Sequence, residues 1–145
     1  MRITELQLQN FKFFTGNVLS NTLKLPNGEN VLAWGENGSG KSSIYWAIYT
    51  LLQCSYKEQA DIDNYFTPAH EKNLVNIHKP DAERAFIRMT LDNGNEYKIE
   101  LADYSVIGNT DLQLSAVSSD FIDYNVVASF LRLMHKHQTE QMPLY

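Results

Sequence analysis

The chain has 145 residues, of which 43% are hydrophobic and 20% are charged. This composition is typical of a globular domain and too apolar for a disordered segment, and the length predicts a single domain over residues 1–145. The net charge of −5 excludes a protein whose whole surface attracts nucleic acid, so any contact with DNA must be local.

The cysteine content and the first residues indicate the cellular compartment. Cys54 is the only cysteine, so the chain can form no intramolecular disulfide. The N-terminal residues alternate between polar and apolar instead of forming a signal peptide. The most apolar stretch, residues 44–52, is about half of the ~18 residues that a membrane span requires. These features predict a cytoplasmic protein that does not cross a membrane.

Two segments in the first third of the chain have the pattern of β-strands. Residues 3–9 place Leu6 and Leu8 on one face, which is typical of a half-buried strand in an antiparallel sheet. Residues 31–34 form a short continuous apolar run that ends at Gly35, which predicts a strand covered on both faces.

A β-hairpin is predicted in the second half of the chain. Apolar and polar residues alternate over 85–91 and again over 97–101, and the sequence Asp-Asn-Gly-Asn lies between them. The Asn-Gly pair predicts a tight turn, because these residues adopt the positive φ angles that such turns require. A further short strand is predicted from 112 to 117, whereas residues 56–84 are weakly periodic and are interpreted mainly as loop.

Two helices follow from apolar residues that recur at helical spacing. The first stripe predicts a core-facing helix and consists of Ile44, Ala47, Ile48, Leu51 and Leu52. The second stripe begins after Asp120, a suitable N-cap, and consists of Ile122, Val126, Phe130 and Leu133 or Met134.

The strongest chemical motif lies between the second predicted strand and the first predicted helix. Residues 35–42 read Gly-Glu-Asn-Gly-Ser-Gly-Lys-Ser, which matches the phosphate-binding loop G-x-x-x-x-G-K-[ST]. Glycines allow the backbone to curl around phosphate oxygens, and the unpaired N–H groups at the helix start attract anions. The glycine spacing and the lysine that follows do not fit a dinucleotide fingerprint.

The motif assigns a role to each of its side chains. Lys41 provides a positive charge for the β- and γ-phosphates, and the Ser42 hydroxyl is available to Mg²⁺. The sequence therefore predicts a site for a nucleoside triphosphate with Mg²⁺. The predicted nucleotide-binding residues of the loop are Glu36, Asn37, Gly38, Ser39, Gly40, Lys41, Ser42 and Ser43.

The first 55 residues resemble the start of SMC-like and RecF-like ATPases of the ABC class. The resemblance consists of an N-terminal strand, the sequence Asn10-Phe11-Lys12-Phe13-Phe14, a strand, the glycine loop and an aromatic-rich helix. More weakly, the predicted hairpin resembles the antiparallel β-layer of those ATPase heads. The implied fold is α/β, a P-loop NTPase head with a mixed sheet and an antiparallel layer, and the implied cofactors are ATP and Mg²⁺.

The resemblance also implies two sites outside the glycine loop. In the family, a basic residue after the first strand reaches the nucleotide phosphates, and Lys12 holds that position here. A solvated surface lysine is the alternative interpretation of Lys12. A glutamine normally completes the Mg²⁺ site before a later helix, and the corresponding position here is Ser119 or Asp120. Asp120 is thus a candidate metal ligand, with a helix N-cap as the alternative.

Two further elements of this family are missing from the sequence. No run of four apolar residues is followed by Asp-Glu, and there is no Ser-Gly-Gly signature outside the glycine loop. The resemblance implies that both elements lie in a C-terminal half, so the chain is interpreted as the N-terminal half of a split head. No catalytic residue is then expected within this chain, which should bind ATP without hydrolysing it alone.

The resemblance implies a role for this head in DNA repair, chromosome maintenance or defence against foreign DNA. The expected partners are the C-terminal half of the same head, a second head that is a copy or a paralogue, and DNA, which the composition does not itself support. Two alternatives remain: a self-contained P-loop kinase or small-molecule NTPase, and an interaction module that senses nucleotide.

Overall fold

The computed structural model describes residues 2–27, 30–80 and 83–119, together with Ser129. Within these residues a short 3-10 turn, Val18–Asn21, precedes the second strand. The strands and α-helices follow in the order β1 Ile3–Gln9, β2 Thr22–Lys24, α1 Lys41–Cys54, α2 Gln59–Phe66, β3 Phe86–Leu91, β4 Glu96–Glu100 and α3 Thr110–Val117.

The four strands form one sheet in the order β2-β1-β3-β4, and all neighbours are antiparallel. β1 lies at the centre, because it pairs with β2 on one side and with β3 on the other. The alternation predicted from the sequence is confirmed, since one face is buried along each of the three longer strands. The most deeply buried residues of this face are Leu6, Leu8, Ile87, Met89, Leu91 and Ile99.

The predicted hairpin is formed by β3 and β4, but its turn uses only one positive φ angle. Gly94 has a φ of 82°, and its N–H donates to the Leu91 carbonyl at 3.0 Å. Asn95 N–H donates to the Asn93 side chain at 2.9 Å, so Asn93 contributes a hydrogen bond and not a left-handed backbone. The last strand is shorter than the pattern predicts, because β4 ends at Glu100 and Leu101 is exposed.

The predicted first helix is confirmed as α1, which covers the apolar face of the sheet and also contacts α3. The buried face of α1 is rotated relative to the predicted stripe, since Ile44 and Ile48 are only partly buried. Its buried residues are Ser43, Ala47, Thr50, Leu51, Leu52 and Cys54.

The prediction of a covered strand at residues 31–34 is wrong. These residues have no regular secondary structure, and the exposed fractions of Val31, Leu32 and Trp34 are 53%, 89% and 88%. A strand is stabilised by hydrogen bonds to a neighbour, and no strand of the described ranges lies beside this segment. Apolar side chains therefore face solvent immediately before the glycine loop.

One other local prediction is wrong, and a neighbouring one is confirmed with one addition. Residues 112–117 belong to helix α3, because Asn109 caps it by accepting a hydrogen bond from Leu112 N–H at 3.0 Å. Residues 56–84 are mainly loop, as predicted, except that α2 lies near their start and buries Ile62 and Phe66, one turn apart, in the core.

Two of the sequence predictions concern residues after 119. The second helical stripe and the candidate metal ligand Asp120 both lie outside the described residues. Among the described helices, none has the length and apolar character required to cross a bilayer.

Candidate phosphate-binding site

The glycine loop connects the exposed segment 31–34 to the first turn of α1. Gly38 and Gly40 have φ angles of 87° and 88°, in the left-handed region that side chains with a Cβ rarely adopt. A Cβ on Gly40 would lie 2.7 Å from Cδ1 of Phe13, whereas a Cβ on Gly38 would meet nothing within 4 Å. The backbone conformation therefore requires both glycines, and neighbouring side-chain packing additionally requires Gly40.

Helix α1 begins without a side-chain cap. Its N-cap residue is Gly40, whose carbonyl accepts hydrogen bonds from Ser43 N–H at 3.0 Å and Ile44 N–H at 3.2 Å. Among the described residues, no protein acceptor is recorded for the N–H groups of Lys41 and Ser42. These donors and the helix dipole together favour an anion at this end of α1.

The Lys41 side chain folds across the loop. Its Nζ donates to the carbonyls of Gly35 at 2.8 Å and Glu36 at 2.7 Å, and it lies 3.2 Å from Ser39 Oγ. Ser39 N–H also donates to the Glu36 carbonyl at 3.2 Å. The ammonium is thus held inside the curl of the loop, next to the uncapped start of α1.

Most of the predicted loop residues surround one cavity of about 260 Å³. Glu36 is absent from its lining and contributes its backbone carbonyl to Lys41 instead. No carboxylate side chain lines this cavity within the described ranges. The lining residues are Phe13, Asn37, Gly38, Ser39, Gly40, Lys41, Ser42 and Ser43.

Phe13 is the lining residue that sequence reasoning did not assign to the site. It lies in a tight turn after β1, closed by the hydrogen bond from Phe14 N–H to the Phe11 carbonyl at 2.9 Å. Its ring packs against Gly40 and remains 55% exposed. The signal in the sequence is the run of aromatic residues on either side of Lys12, which brings Phe13 to the site together with the lysine's turn.

Lys12 lies in the same turn but is absent from the lining of the loop cavity. Its backbone has a φ of 48°, and its N–H donates to the Leu74 carbonyl at 2.8 Å. Its Nζ lies 5.4 Å from the ring centroid of Trp46 on α1, and burial lowers the pKa of this ammonium. Lys12 is therefore half-buried against α1 rather than fully solvated.

The oxygen donors of the loop fit Mg²⁺ only in combination with phosphate. The described residues contain no cluster of His, Cys, Asp or Glu that could hold a metal ion. The exposed Ser42 is a hard oxygen ligand at the first turn of α1. Mg²⁺ commonly uses one or two protein ligands together with phosphate oxygens and waters, so this donor set fits it.

A larger cavity of about 530 Å³ lies between the end of α2 and the end of β4. Its charged residues include Arg84 and Glu100, which already form an ion pair at 3.3 Å. It has no glycine loop and no helix start, so the smaller cavity is the better candidate for phosphate.

One family model matches most of the chain. The sequence model described as "AAA domain" matches residues 5–142. No curated protein matches the chain. A solved chain from a study of ATP-driven dimerization and DNA-stimulated activation of SMC ATPases is 16% identical, with a TM-score of 0.49. That match covers 97% of this chain and 98% of the solved one.

Proposed function

The chain belongs to the AAA domain family and forms a nucleotide-binding ATPase domain of the P-loop class, and from that premise we propose that residues 36–43 bind ATP with Mg²⁺. We further propose that this chain is the N-terminal part of an SMC/RecF-like ATPase that acts on DNA. Repair, chromosome maintenance and defence against foreign DNA are the processes in which such an ATPase would act.

The observation that carries the nucleotide proposal is the uncapped start of α1 beside the Lys41 ammonium. Lys41 Nζ lies within 2.8 Å of two loop carbonyls, so a bound phosphate would meet a positive charge fixed at the loop. The N–H groups of Lys41 and Ser42 provide directed donors, and the Ser42 hydroxyl provides one oxygen to Mg²⁺. Mg²⁺, when bound, would neutralise the phosphate charge.

Lys12 is proposed to add a second positive charge to the phosphates. Its neighbour in the chain, Phe13, contacts Gly40 of the loop, so the turn that carries both residues lies beside the site. Lysine provides one mobile ammonium without the bidentate geometry of arginine. Asp120 is retained as a proposed Mg²⁺ ligand from the resemblance alone.

The exposed segment 31–34 supports the proposal that a second polypeptide segment completes the head. Three large apolar side chains next to the nucleotide site face solvent, and contiguous exposed apolar surface marks interaction sites. The C-terminal half of the same head is the proposed cover, and a second head would then close over the nucleotide. DNA as a partner rests on the family resemblance.

A split head is proposed rather than a self-contained P-loop kinase or NTPase, because the sequence has no run of four apolar residues followed by Asp-Glu. Hydrolysis gains most from charged groups directed at the transferring phosphoryl group and the attacking water. The carboxylate expected for that role is absent from the described lining of the loop cavity. ATP turnover is therefore proposed to require the completing half.

The binding test is calorimetric titration of ATP with Mg²⁺ into the wild-type chain, Lys41→Ala and Lys24→Ala. Lys41→Ala should bind about ten- to a hundredfold more weakly, because it removes charge-assisted hydrogen bonds worth ~1.5–3 kcal/mol. Lys24 lies in β2, away from the loop cavity, and serves as the matched lysine control. Equal affinities for all three folded proteins would refute the proposed site.

The turnover test is steady-state ATPase activity of this chain alone and after addition of its completing half. The chain alone should show no turnover that depends on Lys41, and the completed head should show it. Turnover near the ~10 s⁻¹ median of enzymes by the isolated chain, lost in Lys41→Ala, would favour the self-contained enzyme instead.

A further inference from the structure

An aromatic cluster on α1, formed by Tyr45, Trp46 and Tyr49, lies beside the proposed nucleotide site. The Trp46 ring contacts Tyr45 and Tyr49 edge-to-face, with centroids 5.6 Å away in each case. Trp46 remains 38% exposed, so one part of its surface is open to other groups. The Lys12 ammonium lies over this ring at 5.4 Å from its centroid.

The position of Trp46 relates it directly to the phosphate loop. Trp46 follows Ser42 by four residues, so the two side chains are neighbours on the same face of α1. One helical turn is ~5.4 Å long, which is within the range of movement of a lysine side chain. The Lys12 ammonium therefore lies over the ring of a residue that is one helical turn from Ser42, the residue proposed to bind Mg²⁺.

The backbone of Lys12 is held by hydrogen bonds on both sides. Its N–H donates to the Leu74 carbonyl at 2.8 Å, and its carbonyl accepts from Asn76 Nδ2. The recorded ion pairs of the described residues do not include Lys12. Within the described residues, the charge-specific contact of the Lys12 side chain is with the Trp46 ring.

We propose that Trp46 is a positioning residue that holds Lys12 in a resting position, and that ATP draws the Lys12 ammonium off the ring and onto the phosphates. This inference rests on the proposed nucleotide function of the loop. Lys12 and Trp46 are both absent from the lining of the loop cavity, so the ammonium would have to leave the ring to reach a phosphate bound there, and the two contacts would compete. Trp46 thereby weakens ATP binding slightly and keeps the charge close to the site.

The competition predicts an unusual gain of affinity on removal of an aromatic side chain. Trp46→Leu should bind ATP about two- to fivefold more tightly than wild type, which corresponds to the strength of an exposed cation–π contact. In a Lys12→Ala background the same substitution should change the affinity by less than this. Trp46→Phe should give a smaller shift in the same direction, because phenylalanine is a weaker cation–π ring.

A second cation–π contact in the chain provides the matched control. Lys57 lies over the Tyr65 ring at 5.8 Å, at the opposite end of α1 from the loop. Tyr65→Leu removes an aromatic ring from a lysine, together with the hydrogen bond between the Tyr65 and Lys57 side chains, but should leave ATP affinity unchanged. A gain in Tyr65→Leu equal to that in Trp46→Leu would attribute the effect to general loosening and overturn the proposal.

Tryptophan fluorescence tests the movement itself without altering Trp46. The chain has two tryptophans, so Trp34→Phe leaves Trp46 as the sole emitter. ATP should change the Trp46 emission in this protein, and the change should be absent when Lys12→Ala is added. An identical change with and without Lys12 would overturn the resting-position proposal.

The outcomes separate the two proposals. ATP binding that depends on Lys41, together with unchanged or weaker binding by Trp46→Leu, refutes the role of Trp46 and leaves the nucleotide site intact. If ATP does not bind, or binds equally well to wild type and Lys41→Ala, both proposals are refuted.

Discussion

Residues 86–91 and residues 31–34 are both short segments rich in apolar residues, and the sequence predicts a strand for each. Only residues 86–91 form a strand in the structure. β3 pairs with β1 and β4, and its residues Ile87 and Met89 are completely buried. Segment 31–34 has no neighbouring strand among the described residues, and Leu32 is almost fully exposed. Apolar residues indicate that a segment is stabilised by burial against another surface. Strand formation depends in addition on a neighbouring strand to which the backbone can hydrogen-bond.

The same contrast distinguishes the buried core from the proposed nucleotide site. The antiparallel sheet and the inner face of α1 bury the core, whereas the glycine loop lies at the start of α1, next to the exposed segment. Binding sites are commonly carried by loops that a rigid scaffold positions. The scaffold side should therefore respond to mutation with loss of stability, and the loop side with loss of binding.

The largest expected effect comes from shortening one apolar side chain in each region. Ile87→Ala should lower the free energy of unfolding by about 2–5 kcal/mol, because it leaves a cavity in the core. Leu32→Ala should change it by less than about 0.5 kcal/mol, since the side chain is already in solvent. Urea denaturation measures both values. A similar loss in the two variants would contradict the exposure of segment 31–34.

The loop side can be tested with two glycines that differ only in their surroundings. Gly38→Ala and Gly40→Ala should each cost roughly 1–2 kcal/mol, because both positions have left-handed backbones. Gly40→Ala should cost more and should also weaken ATP binding, because its Cβ would displace the Phe13 ring. The comparison requires unfolding titrations and calorimetry of both variants.

Phe13→Ala is the control for this pair. With that ring removed, the extra cost of Gly40→Ala over Gly38→Ala should disappear. Persistence of the difference in the Phe13→Ala background would show that the contact between Phe13 and Gly40 is not its cause.

The smallest expected effect is a pH dependence that arises on the scaffold side. Burial raises the pKa of the Cys54 thiol to about 12. Above its ordinary pKa of 9.0 the thiol ionises in the unfolded chain but stays protonated in the folded one, so stability falls as the pH rises from 9.0 towards about 12. The slope contributed by Cys54 is at most about 1.4 kcal/mol per pH unit.

Urea denaturation of wild type and Cys54→Ala at about pH 8 and about pH 10 isolates this contribution. Both proteins share the titration of their tyrosines and lysines, so the difference between them reports Cys54. Parallel loss of stability in the two proteins would mean that the thiol ionises equally in the folded and unfolded states.

Local patterns were sufficient to predict a large part of the molecule. Strands β1, β3 and β4 were predictable because residues that face the core recur at every second position. Helix α1 was predictable because its apolar residues recur at helical spacing along the sequence. The glycine loop was also predictable, because its function requires particular residue types at fixed spacing. Helix α3 was mistaken for a strand, since eight residues are too few to separate the two periods and the Asn109 cap decided the outcome.

By itself, the sequence determined the family, the glycine loop and the apolar face of the sheet, because each depends on residue type and spacing along the chain. Only the tertiary structure decided that Phe13 packs on Gly40, that Lys12 rests over Trp46 and that segment 31–34 has no described partner strand. These features join residues that are distant in the chain, and their contacts depend on the turn at Phe11–Phe14 and on the pairing of strands. Local patterns contain no information about which distant surfaces meet, so the environment of the loop could be seen only after folding.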